Sequence, residues 1–351
     1  MRVLILSPTA FPRVSGNAVT AERWRRHLHI MGVDARVLGT EGMGPGELDR
    51  VLEGLEPDLI HVHHVFRAGR ALWQGNGGLS QGIPLVVSPG GTDLNLDVNS
   101  SQRRRLMELL AARARFLVVQ SQEMEARLLE CFYQLGPKVV RVPKACAWFG
   151  DEAFDIRGKA GVGPEDFLFF LPAGVRPVKG NLEWLRAMEE LHRLRPHVRV
   201  VLAGPILDPS YGQRFLEEVR RLHGFARWIG TIPPWAMRGA YEGADVVVNA
   251  SFSEGLSNVL LEAACQGKPL LASDIPGNRW PVLGSGQEDP CGLLYDPQDP
   301  KDLVSKALLL VDDPGLGLRL SAAGRARSFQ LASPLEEAAS LASIYERAVT
   351  G

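Results

Sequence analysis

Three observations predict an α/β chain of two doubly wound, Rossmann-like domains facing across a cleft. The chain has 351 residues, more than one hydrophobic core usually organises, so two domains of roughly 150–180 residues follow. Short apolar runs rich in β-branched residues alternate with helical periodicity, the mark of a parallel sheet covered on both faces. The pattern breaks once, in the polar, Gly-rich stretch WFGDEAFDIRGKAGVGPED near residues 148–165, and then restarts.

In the first half the strand candidates are RVLILS, DARVLG, DLIHVHH, PLVVSP, RFLVVQ and KVVRV, with helical stretches at 17–31, 99–113 and 121–134. The second half repeats the scheme with FLFFLPA, VRVVLAG, ARWIG, DVVVNA, PLLAS and CGLLY, and helices at 180–194, 210–223 and 257–266. Three further helices, 299–312, 315–328 and 333–349, close the chain. The expected domains are therefore 1–155 and 156–332, followed by a closing helical segment, 333–351. Ligands of such sheets bind beyond the carboxyl ends of the strands, so residues just after strands are the ones to inspect.

Composition excludes several classes. The net charge of −1 makes no case for nucleic acid as a partner. The first 150 residues carry 18 Lys+Arg against 14 Asp+Glu, and the remainder 21 against 26. That mild basic bias suits either a solvated face or peripheral contact with a membrane or an anionic acceptor. Cys131, Cys146, Cys265 and Cys291 form no C-x-x-C pair, which argues against a zinc site or disulfide framework and for a reducing, cytoplasmic setting. The opening run MRVLILSPTAFP is broken at Pro8, too early for a signal-peptide core, and no segment approaches the ~20 apolar residues of a membrane span.

The most informative segment is DVVVNASFSEGLSNVLLEAACQGKPLLASDIPGN. A strand ends, a polar loop carries Glu254, and a helix begins near Ser257, a suitable N-cap residue. Gly255 allows close backbone approach, and the amides of Leu256, Ser257 and Asn258 leave the helix start facing an anion such as phosphate. Glu254 and Glu262 then stand on either side, able to accept hydrogen bonds from vicinal hydroxyls. Two solvated acids flanking an ordinary loop is the competing reading. In LFFLPAGVRPVKGNLEWLRAM, Arg176 and Lys179 lie between a strand and a helix start. Cations there oppose the helix dipole by roughly 0.3–1 kcal/mol each, which is reasonable if both face a diphosphate and neutralise its developing charge. Two loop cations in water is the alternative.

These segments resemble the retaining, two-domain nucleotide-sugar glycosyltransferases of family four, which have the GT-B fold. SEGLSNVLLEAACQGKPLLAS is similar to that family's donor motif and GVRPVKG to its phosphate loop, with LAGP and WIGTIPP in the expected order. SGNAVTAERW, GGTDLN and DIPGN are most similar to the glycosyltransferase 1 domain-containing proteins, and some of these features to bacterial selenosugar synthases. The resemblance implies a donor domain in the second half and an acceptor-side domain in the first. Glu254 would touch sugar hydroxyls, Glu262 the ribose, and Arg176 and Lys179 the diphosphate, helped by the backbone of 255–258. Gly16 and Asn17 would lie under the phosphates or the acceptor, and the last helix would return to brace the first domain. It further implies retention of anomeric configuration, no cofactor and no metal. The chain lacks an Asp-x-Asp donor motif, in agreement.

Two departures from the family pattern stand out. Arg176 and Lys179 are three positions apart rather than five, and Gly90 stands about where many members carry a cleft histidine. Around that position, Thr92 and Asp93 follow a double glycine after a strand, where side chains reach the ligand side. Asp93 is a candidate base for an acceptor hydroxyl or a cap for the next helix. In DLIHVHHVF, His61 and His63 share a strand face opposite His64. A metal site lacks further ligands, leaving His63 or His64 as acceptor-side candidates or polar strand-end residues. Arg103, Arg104, Arg105, Arg113 and Arg115 form a basic patch, solvated or membrane-facing. Trp235 is expected in the core, with a place beside the base as the alternative. A nucleotide-sugar epimerase and a non-catalytic nucleotide-sugar binder remain as rivals, with selenium or sulfur transfer as a variant. No G-x-G-x-x-G follows either first strand, which disfavours a dinucleotide oxidoreductase.

Overall fold

A computed structural model describes residues 1–74 and 82–351. The chain divides into two compact units, Met1–Ala147 with Leu331–Gly351, and Trp148–Gln330. Each is built on a six-stranded sheet whose strand pairs are all parallel. The first sheet comprises β1 (Arg2–Ser7), β2 (Asp34–Gly39), β3 (Leu59–His63), β4 (Leu85–Ser88), β5 (Phe116–Val119) and β6 (Val139–Arg141), ordered β2-β1-β3-β4-β5-β6. The second comprises β7 (Phe167–Pro172), β8 (Val198–Ala203), β9 (Ala226–Trp228), β10 (Val246–Asn249), β11 (Leu270–Ser273) and β12 (Gly292–Tyr295), ordered β12-β11-β10-β7-β8-β9.

The apolar strand runs have the expected cause. β7 sends Phe169 and Leu171 into one core and Leu168 and Phe170 into another, and all four are buried. Period-two alternation with both faces covered requires every position to be apolar. In that sheet the strand order reverses at the β7/β10 pair: β8 and β9 continue one way, β11 and β12 the other. A switch point of this kind opens a crevice beyond the two strand ends.

The division after Ala147 falls earlier than the expected boundary at 155/156, because the aromatic residues of WFGDEAF pack into the second unit. Trp148 stands edge-on to Tyr241, and the Glu152 amide donates to the Trp235 carbonyl at 3.1 Å. The closing helix, Pro334–Thr350, belongs to the first unit. Ala338, Leu341, Ala342, Tyr345 and Ala348 form its core-facing stripe, and a Ser333/Glu336 capping box starts it. Its Glu337 carboxylate is buried and accepts from Arg23 Nε (2.7 Å) and Nη2 (3.0 Å), Trp24 Nε1 (2.9 Å) and Gln120 Nε2 (2.9 Å). Helices Glu47–Leu55 and Pro276–Leu283 lie outside the expected set. The second begins with Pro at its first position, a favoured start, but Gly277 and Pro281 inside it weaken the periodic signal. No helix among the described residues is long and apolar enough to cross a membrane.

Candidate active site

The switch point of the second sheet brings two loops together. After β7 the chain runs through Arg176 and a single 3-10 turn, Pro177–Lys179, into the helix Asn181–Leu194. After β10 it runs through 250–257 into the helix Asn258–Cys265. The Phe252 amide donates to the Val178 carbonyl at 2.9 Å, tying one loop to the other. Gly180 makes this approach feasible. Its φ is +60°, and a Cβ there would lie 2.3 Å from the Ala250 carbonyl oxygen.

On this scaffold Lys179 Nζ donates to the Glu254 carboxylate, with the side chains only 19% and 16% exposed. Ser251 Oγ donates to the same oxygen at 2.8 Å, and Asn249 Nδ2 stands 3.4 Å from it. Asn249 also donates to Ser257 Oγ at 2.7 Å and accepts from the Ser251 amide at 2.9 Å. Burial pushes the Glu254 carboxyl upward, but the Lys179 charge and these hydrogen bonds outweigh it and hold the group below its ordinary value. Asn249 and Ser251 are site residues that the motif reading missed. Their signal is two polar side chains at the end of the apolar run VVVNAS.

Ser257 is the N-cap, its hydroxyl accepting from the Leu260 amide at 3.4 Å. Leu256 and Ser257 are buried, while Gly255 and Asn258 are half-buried. The Glu254 backbone is fixed from behind by Gly277, where a Cβ would come 2.5 Å from the Glu254 carbonyl oxygen. Glu262 lies a turn further along the helix, half-buried, and accepts from the Tyr241 hydroxyl at 2.8 Å. Arg176 is half-buried, and its amide donates to Asn181 Oδ1 at 3.4 Å. The structure thus gathers Arg176, Lys179, Glu254 and 255–258 beyond the carboxyl ends of the two central strands, β7 and β10. It pairs the lysine with the glutamate directly, a contact the sequence reading did not anticipate.

The first-unit candidates sort differently. Gly16 and Asn17 open the helix Gly16–Ile30 beyond β1, with Ser15 as N-cap accepting from Ala18 at 3.1 Å. His61 is a core residue stacked on Trp24, bonded to Tyr345 Oη and Ser88 Oγ at 2.6 Å each, and burial pushes its pKa down to about 3. His63 is 5% exposed and edge-on to Trp24. Burial, with the nearby charges of Lys144 and Arg23, holds it neutral, well below the ordinary imidazole value. The strand-end position belongs instead to His64, whose φ of +77° is unusual for a non-glycine residue. Its Nε2 meets Thr92 Oγ1 at 2.8 Å. Its ring stands against Gly90, where a Cβ would come within 3.1 Å. A larger residue at 90 would compete with that ring.

Asp93 is fully buried, so the reading of it as a base reaching an acceptor directly is corrected. Its carboxylate accepts from the Val65 amide (2.7 Å) and the Leu94 amide (2.9 Å), and burial pushes its pKa up to about 7. It does not cap the next long helix, Ser101–Arg113, either, because that N-cap is Ser100, and Asp93 itself lies within the short helix Gly91–Asn95. Thr92 is half-buried. The expected core placement of Trp235 is also corrected: its side chain is 47% exposed. In the basic patch, Arg103 pairs with Asp97 and covers Phe66, while Arg104 pairs with Glu108 and covers Phe132. Among the described residues no group of three or more His, Cys, Asp or Glu side chains is placed to hold a metal.

Residues 166–313 match the family of glycosyl transferases group 1, and residues 2–144 match the glycosyl transferase 4-like domain. Glycosyltransferase 1 domain-containing protein 1 of Xenopus tropicalis is 25% identical over 312 residues, covering 87% of each chain. A D-inositol 3-phosphate glycosyltransferase of Segniliparus rotundus is 26% identical over 277 residues, covering 76% of this chain and 56% of its own. Among solved structures, sucrose-phosphate synthase from Thermosynechococcus elongatus superposes with a TM-score of 0.78 at 18% identity, over 99% of this chain and 98% of its own. Anabaena HepE, solved with UDP and glucose, gives 0.77 at 18% identity over 99% and 100%. The fold is that of the GT-B enzymes, and with its two family matches spanning most of its length the chain belongs to the group 1 glycosyltransferases.

Proposed function

We propose that the chain transfers a glycosyl group from a nucleoside-diphosphate sugar to an acceptor, with retention of anomeric configuration and without a metal. The observation that carries this reading is the Lys179–Glu254 pair at the β7/β10 switch point, beside the start of the helix Asn258–Cys265. A diphosphate entering there offers Lys179 a stronger anionic partner and frees Glu254 to accept from sugar hydroxyls. Arg176 and the amides of 255–258 add positive potential at the phosphates. Glu262 is assigned the ribose, and Gly16, Asn17 and Thr92 the phosphate and acceptor side.

In the transfer step the acceptor oxygen bonds to the anomeric carbon as the bond from that carbon to the terminal phosphate oxygen breaks. The acceptor proton leaves with the departing nucleoside diphosphate. Stabilising the charge that develops on the phosphate is the task of Lys179 and Arg176. Glu254, held by Lys179, Ser251 and Asn249, orients the sugar and is not assigned as a nucleophile.

UDP-sugars are the first donors to try, since HepE was solved with UDP-glucose. The test is a thermal-shift panel of nucleoside diphosphates and their sugars on the wild type, Lys179→Ala and Glu262→Ala. Ligand bound only by the folded state raises the midpoint by mass action. One nucleotide family should shift the wild type, more with one sugar, and shift both variants less. No shift of folded wild type with any of them would overturn the reading.

A further inference from the structure

We infer that Asn278 is a positioning residue for the donor sugar, acting through Ser273 and Ser251 on the Glu254 carboxylate. The inference rests on the donor-site reading above and deepens it. Asn278 lies in DIPGN, within the helix Pro276–Leu283 that follows β11. Its Nδ2 donates to the Ser273 carbonyl and to Ser273 Oγ, at 3.1 Å each. Ser273 Oγ donates in turn to the Ser251 carbonyl at 2.5 Å. Ser251 Oγ then donates to Glu254 Oε1 at 2.8 Å, and the Ser251 amide to Asn249 Oδ1 at 2.9 Å. Asn249 and Ser273 end the paired strands β10 and β11, so the line of contacts crosses between them on its way to Glu254.

The Ser273 carbonyl can only accept, so the edge of the Asn278 amide that faces it is the nitrogen. Ser273 Oγ must then accept from Nδ2 as well, which leaves the serine proton for the Ser251 carbonyl. That bond fixes the peptide after Ser251, the Asn249 contact fixes the peptide before it, and the Ser251 hydroxyl is thereby delivered to Glu254. Asn278 and Ser273 are fully buried, and Ser251 is 2% exposed. Apolar side chains would fill the same space without the cost of desolvating polar groups. Filling space therefore does not account for the line, whereas fixing a donor on an enclosed carboxylate does. The same segment also meets Glu254 through Gly277, where a Cβ would lie 2.5 Å from the Glu254 carbonyl oxygen. A carboxylate ordered before the sugar arrives loses less freedom on binding it.

Ser273→Ala removes the relaying hydroxyl with little change in volume, and Asn278→Leu removes the donor behind it. Affinities for UDP, GDP and ADP, and for UDP-glucose, UDP-N-acetylglucosamine, GDP-mannose and ADP-glucose, would be measured by calorimetry on the wild type, both variants and Glu254→Gln. Both variants should weaken the best-bound nucleotide sugar about fivefold to tenfold and its bare diphosphate by less than about twofold, the scale of one hydrogen bond to a charged group. In the Glu254→Gln background Ser273→Ala should add little. An equal loss for sugar and diphosphate makes the line a packing element of the loop and overturns the inference. Unchanged affinity for both in folded Ser273→Ala overturns it too. So does a wild type that binds a diphosphate but none of the sugars, which leaves the phosphate part of the donor-site reading standing. If folded wild type binds none of the three diphosphates, that reading itself fails, and this inference with it.

Discussion

Lys179 and Glu254, 75 residues apart in sequence, are ion-pair partners across the two loops that leave the middle of the second sheet. On the donor-site reading, a bound donor exchanges this pair for phosphate–lysine and hydroxyl–glutamate contacts. Lys179→Ala should lower turnover by about 10²–10³-fold, the usual cost of removing one stabiliser of developing charge. Transfer or slow donor hydrolysis measured at saturating donor reads this. A variant with unchanged turnover would remove Lys179 from the transition state.

The same pair has a pH signature. The Glu254 carboxyl sits below its ordinary 4.5 in the folded chain, so its stabilising contribution is present above that value and lost as pH falls through the lower folded one. Glu254→Gln should flatten the acid limb of a plot of melting temperature against pH. Parallel acid limbs for the two proteins would contradict the assignment.

Asp93 acts in the opposite sense. Its folded pKa of about 7 lies above the ordinary 3.8, so the folded state holds a proton that the unfolded state has released. Stability from this group is full below the ordinary value and declines as pH rises through about 7. Asp93→Asn keeps an acceptor for the Val65 amide and cannot ionise. Its melting temperature should gain on the wild type between pH 4 and pH 8, which a pH series of thermal melts checks.

The buried Arg23–Glu337 pair fastens the closing helix to the first unit, with both side chains almost wholly enclosed. Removing one partner strands a buried charge, so Glu337→Ala should cost about 3–5 kcal/mol in urea unfolding. Replacing both residues with apolar ones of similar volume, Arg23→Met with Glu337→Leu, should recover a good part of that loss.

Gly180→Ala tests the contact between the loops that follow β7 and β10. A left-handed φ and a Cβ 2.3 Å from the Ala250 carbonyl act together. The expected cost is about 2 kcal/mol or more, accompanied by weaker nucleotide binding. Unaltered stability in denaturant melts would mean that the loops part easily.

Much of the loop after β10 was legible because its cues are local. A strand ending at Asn249, an acid and a glycine in the loop, and a serine three residues before the first buried helix residue mark a helix start wherever the chain lies. The apolar strand runs were legible for a similar reason: burial on both faces leaves its mark on every residue. Histidine roles were not. His61, His63 and His64 sit within four positions, and no local rule separates the core-stacked pair from the one that turns out at φ +77° toward Thr92.

By itself the sequence determined two α/β units and the helix start at Ser257, and it marked Arg176, Lys179, Glu254 and Glu262 as candidate site residues. Only the tertiary structure decided which of them touch. β7 and β10 are neighbours because the strand order reverses between them, and that adjacency joins residues 75 positions apart. Burial, likewise, is a property of what packs around a group. Asp93 is enclosed, Trp235 is exposed, and Tyr241 ends on Glu262 because elements distant in sequence meet there. Periodicity along the chain carries the direction a side chain faces, but the identity of its neighbour depends on the crossover connections that set strand order.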